Sequence, residues 1–537
     1  MSEDLYELPK GWVWTGLKIV CEKIQDGSHF SPQLQYTEGG EGRYLYITAK
    51  NIKPNGLDLS DVTYVDETFH KSIYERCNPE KGDVLLTKDG VKTGVVTLNT
   101  LDEQFSLLSS VALFKTNKLV LCSNYLRYFL SSPVGFKMIT GQMTGTAIKR
   151  IVLDKIRQSY ICLPPLPEQH RIVAKIEELF TELDAGVELL KKLKAKLKRY
   201  RQAVLKAAVE GNLTKEWREA NQGKLEPASM LRDRILKQRR EKWEAEQLAK
   251  MKAQGKTPKD DSWKLKYKEP IAPDTSDLPE LPNGWCWATL DQISVKITDG
   301  EHLRPKVVEK GVYFLSAKDI REEGVNFDEP LFVSEDDAEK FRNRCDPEKG
   351  DILIVSRGAT VGRSCLVNTD TMFCLLGSVI LIKLYPYVLN QFAIYSIKSP
   401  DIQKHIINLS GSTAQQAIYI RDIRKAYIPL PSLEEQHQIF NEVERCLSVI
   451  HQLEKTIDTN LKRAEKLRQS ILKQAFEGKL VPQDPNDEPA EKLLERIKAE
   501  KAKHEVEKKP KRQSKTKSSQ PRKSQATAIQ LELNFDE

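Results

Sequence analysis

LPPLPEQHRI occupies residues 163–172, and LPSLEEQHQI occupies residues 430–439, 267 positions later. Behind the first decamer no proline follows before Gly211, and apolar side chains recur in 4-3-4-3 steps: Ile172, Ile176, Leu179, Leu183, Leu190, Leu193, Leu197, Tyr200, Val204 and Ala207, with Gly186 as the one gap. Behind the second come Ile439, Val443, Cys446, Ile450, Leu453, Ile457, Asn460, Ala464, Leu467, Ile471 and Gln474. A stripe sustained at this spacing predicts two long coiled-coil helices, not ordinary surface helices. Asn460 stands where a polar core residue fixes register. Proline ahead of each Glu-Gln-His triplet sits where a helix's first turn tolerates it. The 36 residues from Ile172 to Ala207 make a rod about 54 Å long at 1.5 Å per residue.

Working outward, the chain repeats itself. LPKGWVW (Leu8–Trp14) returns as LPNGWCW (Leu281–Trp287), and Asp26-Gly27-Ser28-His29 returns as Asp299-Gly300-Glu301-His302, both at an offset of 273. CNPEKGDVLL (Cys77–Leu86) returns as CDPEKGDILI (Cys345–Ile354) at 268, and RQAVLKAAVEGNL (Arg201–Leu213) as RQSILKQAFEGKL (Arg468–Leu480) at 267. Two long copies in conserved order exclude a solenoid of many short repeats. They predict two similar modules about a pseudo-two-fold axis, which suits a target with two parts. A weaker repeat follows each helix: Pro227-Ala228-x-x-Leu231 matches Pro489-Ala490-x-x-Leu493.

Within each copy, β-type runs such as YLYIT (Tyr44–Thr48) and GDVLLT (Gly82–Thr87) alternate with turns and short helical stretches, the mark of an α+β domain. The expected segmentation is a first module over residues 1–165, a long helix over 166–212, a charged helical insertion and linker over 213–278, a second module over 279–431, a second long helix over 432–480, and a short helix with a basic tail over 481–537.

Composition is that of a soluble globular chain, 39% hydrophobic and 30% charged over 537 residues, with no apolar run approaching a membrane span of about 20 residues. The N-terminus has no basic start followed by an apolar stretch, so a cytoplasmic location is expected. Nine scattered cysteines without a CxxC pair read as reduced, buried thiols. Lys498–Lys523 holds eleven Lys/Arg against three Asp/Glu, which equals the whole net charge of +8. This stretch reads as a disordered basic tail, and the overall charge is therefore no proof of a nucleic-acid-binding fold.

Catalytic signatures are missing from the sequence. Gly90-Val91-Lys92-Thr93-Gly94 has the wrong spacing for a phosphate loop, and there is no G-x-G-x-x-G after a strand, no HExxH and no zinc-type Cys/His cluster. The pairs Asp26/His29 and Asp299/His302 are imaginable as acid–base pairs, but the plainer reading is a turn held by Asp and Gly.

These features together resemble the specificity subunit of a type I restriction–modification enzyme. The resemblance rests on the two helix openings, DGSHFSP and DGEHLRP, the KGDVLL and KGDILI segments, and MTGTAIKRI (Met143–Ile151) with SGSTAQQAI (Ser410–Ile418), and it covers about Leu8 to Leu480. It implies two target-recognition domains, each reading half of a bipartite site on double-stranded DNA. It also implies helices paired as an antiparallel coiled coil that sets the spacing and docks two modification (methyltransferase) subunits. S-adenosylmethionine, ATP and magnesium are then expected in partner subunits, including restriction (translocase/nuclease) subunits, and this chain is expected to bind no cofactor or metal and to be non-catalytic by itself. The competing reading is a non-enzymatic coiled-coil scaffold with two protein-binding modules.

DNA reading needs base-edge donors and acceptors on a rigid frame, with phosphate contacts that hold register. The glycine turns after the second strand motif supply candidates: Lys88 and Lys92 in the first copy, Arg357, Thr360 and Arg363 in the second. The later loops add Thr146, Lys149 and Arg150 against Thr413, Gln415 and Gln416. Gln suits adenine and Arg or Lys suits guanine or phosphate, so different residues on one frame imply two different half-sites.

Overall fold

A computed structural model of the protein describes residues 5–507 apart from 91–92, 142–149, 259, 304 and 412–415. The basic stretch read above as disordered from Lys498 onward is helical as far as Glu507, where it ends the helix Ala490–Glu507, and beyond residue 507 it lies outside the described residues.

In the first module the KGDVLL motif delivers the strand Val84–Thr87, buried at all four positions. An apolar run without alternation means a strand covered on both faces, and that is its situation. Its sheet runs Cys21–Asp26, Val111–Thr116, Val84–Thr87, Val96–Leu98, antiparallel throughout. Val84, Leu86, Ala112 and Phe114 face one core, shared with the helix Ser123–Ser131 and the start of the long helix. Leu85, Val111 and Leu113 face a second core, shared with Leu45, Ile47, Phe105 and Leu107 of a three-stranded sheet. Gly82 enters this strand at φ +91°, where a side chain is strained. The Asp83 carboxylate then accepts from the Glu80 amide at 2.7 Å and from Lys115 at 2.8 Å. The second module repeats the plan with Ser294–Asp299, Val379–Leu384, Ile352–Val355 and Ser364–Leu366. There Gly350 has φ +91°, and Asp351 accepts from Glu348 and from Lys383, each at 2.8 Å. The fold is α+β, with two copies of one domain.

Four helices complete the architecture: α1 (Leu166–Val209), α2 (Ala228–Ala253), α3 (Leu433–Phe476) and α4 (Ala490–Glu507). Both long helices hold 44 residues, about 66 Å each, and α1 runs through Gly186 unbroken.

The compact units cut across the linear segmentation. One is Met1–Ala185 with Arg463–Glu537, and the other is Gly186–Lys462. Each unit therefore joins a module to the end of the helix that belongs to the other copy. In the first, Gly478 caps α3 at φ +70° against Pro9, the Ala490 amide donates to the Gly11 carbonyl at 3.0 Å, and Phe476 stacks edge-on against Tyr125 and Phe129. In the second, Gly211 caps α1 at φ +71° against Pro282, and the Ala228 amide donates to Gly284 at 2.8 Å. The repeated EGNL/EGKL, Pro-Ala and LPxGW motifs are thus the parts of one joint, made twice. The charged insertion is part of this joint: Ala228, Leu231 and Ile235 of α2 are fully buried in the second unit, as Ala490, Leu494 and Ile497 of α4 are in the first.

Glu-Gln-His serves the same joint. Trp12 donates its indole N–H to Glu168 at 3.0 Å, and Trp285 donates to Glu435 at 2.8 Å. Gln169 takes the Cys122 amide at 2.9 Å and donates to the carbonyls of Val120 and Pro164; Gln436 takes the Leu389 amide at 2.7 Å and donates to Tyr387 and Pro431.

Within each unit the halves of α1 and α3 run antiparallel. In the second, Lys194 pairs with Asp458 and Arg201 with Glu454. In the first, Ile172 and Ile176 share a core with Leu472 and Phe476 while Asp184 meets Arg468. The expected stripe needs a correction, however. Leu197, Ile450 and Ile457 form the seam, with Leu190 partly buried. Ile172, Ile176, Ile439, Val443, Val204 and Ile471 are buried under the modules, and Leu179 and Leu183 are half-buried. Leu193, Tyr200, Leu453, Asn460 and Leu467 are exposed, not core. Two helices alone cover one edge of each stripe, and among the described residues no third layer covers the other.

Candidate nucleic-acid interface

Each module presents the same construction at the end of its first sheet strand. Cys21–Asp26 ends on Asp26, and Gly27 passes so close to the neighbouring strand that a Cβ there would lie 1.8 Å from the Leu107 carbonyl oxygen. Gly300 is held equally, 2.0 Å from Leu375. Glycine is required by this crossing. The turn carries the histidine back over the aspartate: His29 Nε2 lies 3.2 Å from Asp26, and His302 Nε2 lies 3.0 Å from Asp299. An arginine closes the group, Arg76 in the turn just after the helix Glu67–Tyr74 and Arg344 as the last residue of the helix Glu335–Arg344. Arg76 lies 3.5 Å from Asp26 and donates to the Gly27 carbonyl, while Arg344 bonds Asp299 and approaches His302 Nε2 at 3.1 Å. The geometry is that of a structural ion cluster, in keeping with the turn reading.

The modules differ around this cluster. Lys88 is 6% exposed and donates to Asp26 at 2.6 Å. Its counterpart is Ser356, and beside it the second module opens a cavity of about 560 Å³ lined by Asp299, His302, Arg344, Ser356, Arg357 and Arg421 among others. Past the histidine both modules expose an apolar side chain at equivalent positions, Phe30 at 79% and Leu303 at 77%.

The residues singled out from sequence divide accordingly. Lys88 faces inward, and Arg363 donates to the Ile320 carbonyl at 3.3 Å, so both brace the fold. Thr360 is half-buried, its carbonyl accepting from the Arg363 amide at 3.0 Å. Arg150, Arg357 and Gln416 are exposed, and Arg150 and Arg357 hold equivalent β-bridges, to Asp89 and Ala417. Lys92, Thr146, Lys149, Thr413 and Gln415 lie outside the described residues. Sequence reading passed over Arg76 and Arg344, although each immediately precedes the repeated cysteine, so the repeat extends one residue further. It also passed over Tyr419 and Arg421, which no motif marks. The buried thiols of Cys77 and Cys345 are pushed up to about 12 by burial, consistent with core positions. Among the described residues no helix is long and apolar enough to cross a membrane.

Comparison with known proteins points one way. The sequence profile of the family described as type I restriction modification DNA specificity domain matches residues 9–199 and 307–463. The EcoKI specificity subunit of Escherichia coli K12 is 26% identical over 517 residues, spanning 92% of this chain and 97% of that protein. The EcoBI specificity subunit of Escherichia coli is 26% identical over 389 residues, 70% of this chain and 72% of that one. A chain from a structural study of complex assembly and conformational transition of the type I R-M system superposes with a TM-score of 0.58 at 19% identity, covering 88% of this chain and all of that one, a likeness of fold.

Proposed function

The chain belongs to the type I restriction modification DNA specificity family and is a DNA-recognition subunit with two recognition domains; we propose that each domain reads one half of a bipartite double-stranded site for partner enzymes that carry all the catalysis. One observation carries this reading: the same Asp–Gly–x–His–Arg cluster stands at equivalent places in both modules, and the side chains around it differ. A shared frame with private side chains is what reading two different half-sites requires.

Two modification subunits dock on the paired helices. The apolar residues that α1 and α3 leave uncovered in the second unit, Leu189, Leu193, Tyr200, Val449 and Leu453, support this assignment, because an uncovered apolar stripe marks an interaction surface. S-adenosylmethionine belongs to those subunits, and ATP and magnesium to them and the restriction subunits. The chain works in the cytoplasm, without a cofactor of its own, and the helices act as the ruler between half-sites. Inserting four residues into α1 lengthens it by about 6 Å, close to one turn, and nearly preserves the stripe. The methylated site should then keep both half-sequences and gain one or two spacer base pairs.

The test of the division of labour is direct. Purified chain supplied with S-adenosylmethionine, magnesium and ATP leaves DNA unmethylated and uncut, and adding the modification subunit gives site-specific methylation. Activity of the chain alone contradicts the proposal.

A further inference from the structure

Superposing the repeat on itself shows where the two modules part company. The bond from the Ile151 amide to the Lys88 carbonyl (2.9 Å) in the first module corresponds to that from Ile418 to Ser356 (2.8 Å) in the second. The backbone frame is therefore the same, and the side chains on it can be compared one by one. Lys88 faces Ser356, Asp89 faces Arg357, Val152 faces Tyr419 and Asp154 faces Arg421. Two acidic positions have become arginines, and the lysine that plugs the first module has become a serine.

The consequence is local and chemical. In the first module Asp26 is saturated by Lys88, Arg76 and His29, and its side chain is 3% exposed. In the second, Asp299 has Arg344 and His302 as its ion-pair partners among the described residues, and its side chain is 12% exposed at the floor of the cavity. Arg357 stands exposed on the rim, with no ion pair among the described residues. Arg421, its side chain 80% exposed, leans over the Tyr419 ring at 5.3 Å and among the described residues pairs with the adjacent Asp422 alone, at 3.4 Å. Guanidinium donors on the rim with a carboxylate, an acceptor alone, on the floor do not suit a phosphate, which offers acceptors alone. They suit the edge of a base pair, which offers both. An exposed arginine fork matches the O6 and N7 acceptors of guanine, the commonest specific contact in the major groove.

We propose that the cavity flanked by Arg357 and Arg421 reads a guanine-containing base pair in the half-site of the second module, and that the exchanges Lys88/Ser356, Asp89/Arg357 and Asp154/Arg421 are a principal source of the different half-sequences. This inference rests on the DNA-recognition reading above.

The experiment uses the full chain in complex with its modification subunits, a randomised library of bipartite sites, and single-molecule sequencing of methylated adenines. Arg421→Ala and Arg357→Ala are both on exposed side chains, and Ser356→Lys returns the plug. Guanine preference at one position of one half-site should fall by on the order of tenfold or more in at least one arginine variant, with the other half-site unchanged. Ser356→Lys should lose the same preference; if that chain fails to fold, the two arginine variants carry the test. Unchanged half-sequences in all folded variants overturn the inference. So does a uniform loss across all sequences with weaker salt dependence, the signature of a phosphate contact. If the unaltered complex shows no bipartite site that depends on this chain, the functional reading itself has failed.

Discussion

In the first unit Glu168 takes the Trp12 indole and leaves Oε1 buried without a partner among the described residues. In the second, Glu435 takes Trp285, the Thr214 hydroxyl at 2.8 Å and Arg218 at 2.7 Å. The reason lies in the chain between the helix cap and the Pro-Ala motif. The second unit has room there for the short helix Lys215–Ala220, which brings Arg218, and the first unit spans the same gap with VPQDPNDE (Val481–Glu488). Both copies keep the left-handed glycines, the Pro-Ala turn and the tryptophan–glutamate bond. What has diverged is the set of additional side chains around that shared frame, at the buried joint as at the open face.

This contrast can be broken at the joint. Glu435→Ala strands Arg218 and the Trp285 indole in a buried site and should cost the second unit about 3–5 kcal/mol. Glu168→Ala leaves one indole unsatisfied and should cost the first unit about 1–3 kcal/mol. Hydrogen exchange resolved by residue reads each unit separately, and equal costs would refute the asymmetry.

A smaller effect separates seam from stripe. Ile457→Ala removes a fully packed seam residue and should cost about 2–5 kcal/mol in the second unit. Leu193→Ala, on the exposed edge, should stay within about 0.5 kcal/mol in thermal melts of the isolated chain. The same Leu193 substitution should weaken capture of the modification subunit in a pull-down titration; unimpaired capture by this and a Tyr200→Ala chain would remove the stripe from the docking surface.

Titration offers a finer distinction. Burial holds the Glu168 carboxyl above its ordinary value, against the indole bond and the nearby Arg171. The folded first unit therefore binds this proton more tightly than the unfolded chain. The stability contribution is greatest below the unfolded carboxylate value and declines as pH rises through the raised one. Glu168→Gln should flatten that decline, seen as local exchange rates of the first unit as pH rises above the ordinary carboxylate range; an unaltered slope would assign it elsewhere. Least of all in stability, Phe30→Ala and Leu303→Ala should change melting within about 0.5 kcal/mol. If the proposed face meets DNA, these exposed apolar side chains can serve as wedges between bases, so each substitution should reduce affinity for duplexes carrying the half-site of its own module, measured by competition binding.

Much of this was legible in the sequence. Ordered repeats located both modules, uninterrupted apolar runs marked the two-sided strands, and the 4-3-4-3 stripe marked helices that begin at Leu166 and Leu433. The cross-copy joint was not legible, because Gly478 on Pro9 and Ala490 on Gly11 are contacts between segments more than 460 residues apart. Periodicity equally could not say which stripe residues are covered: Leu193 and Leu197 look alike in sequence and differ only in what packs on them. At the proposed DNA face, lysine types drew attention to Lys88, which is an internal ion-pair partner. Arg421 carried no signal, since its meaning lies in the cavity it borders and in the aspartate that replaces it in the other copy.

The central claim is that each module reads its own half-site independently. Replacing residues 8–162 with the corresponding module of a relative of different specificity, in a host carrying the partner subunits, and sequencing the methylome tests it most directly. The account predicts that one half of the methylated sequence changes to that of the donor while the other half and its adenine stay as they were. A site altered in both halves, or in neither, would contradict it.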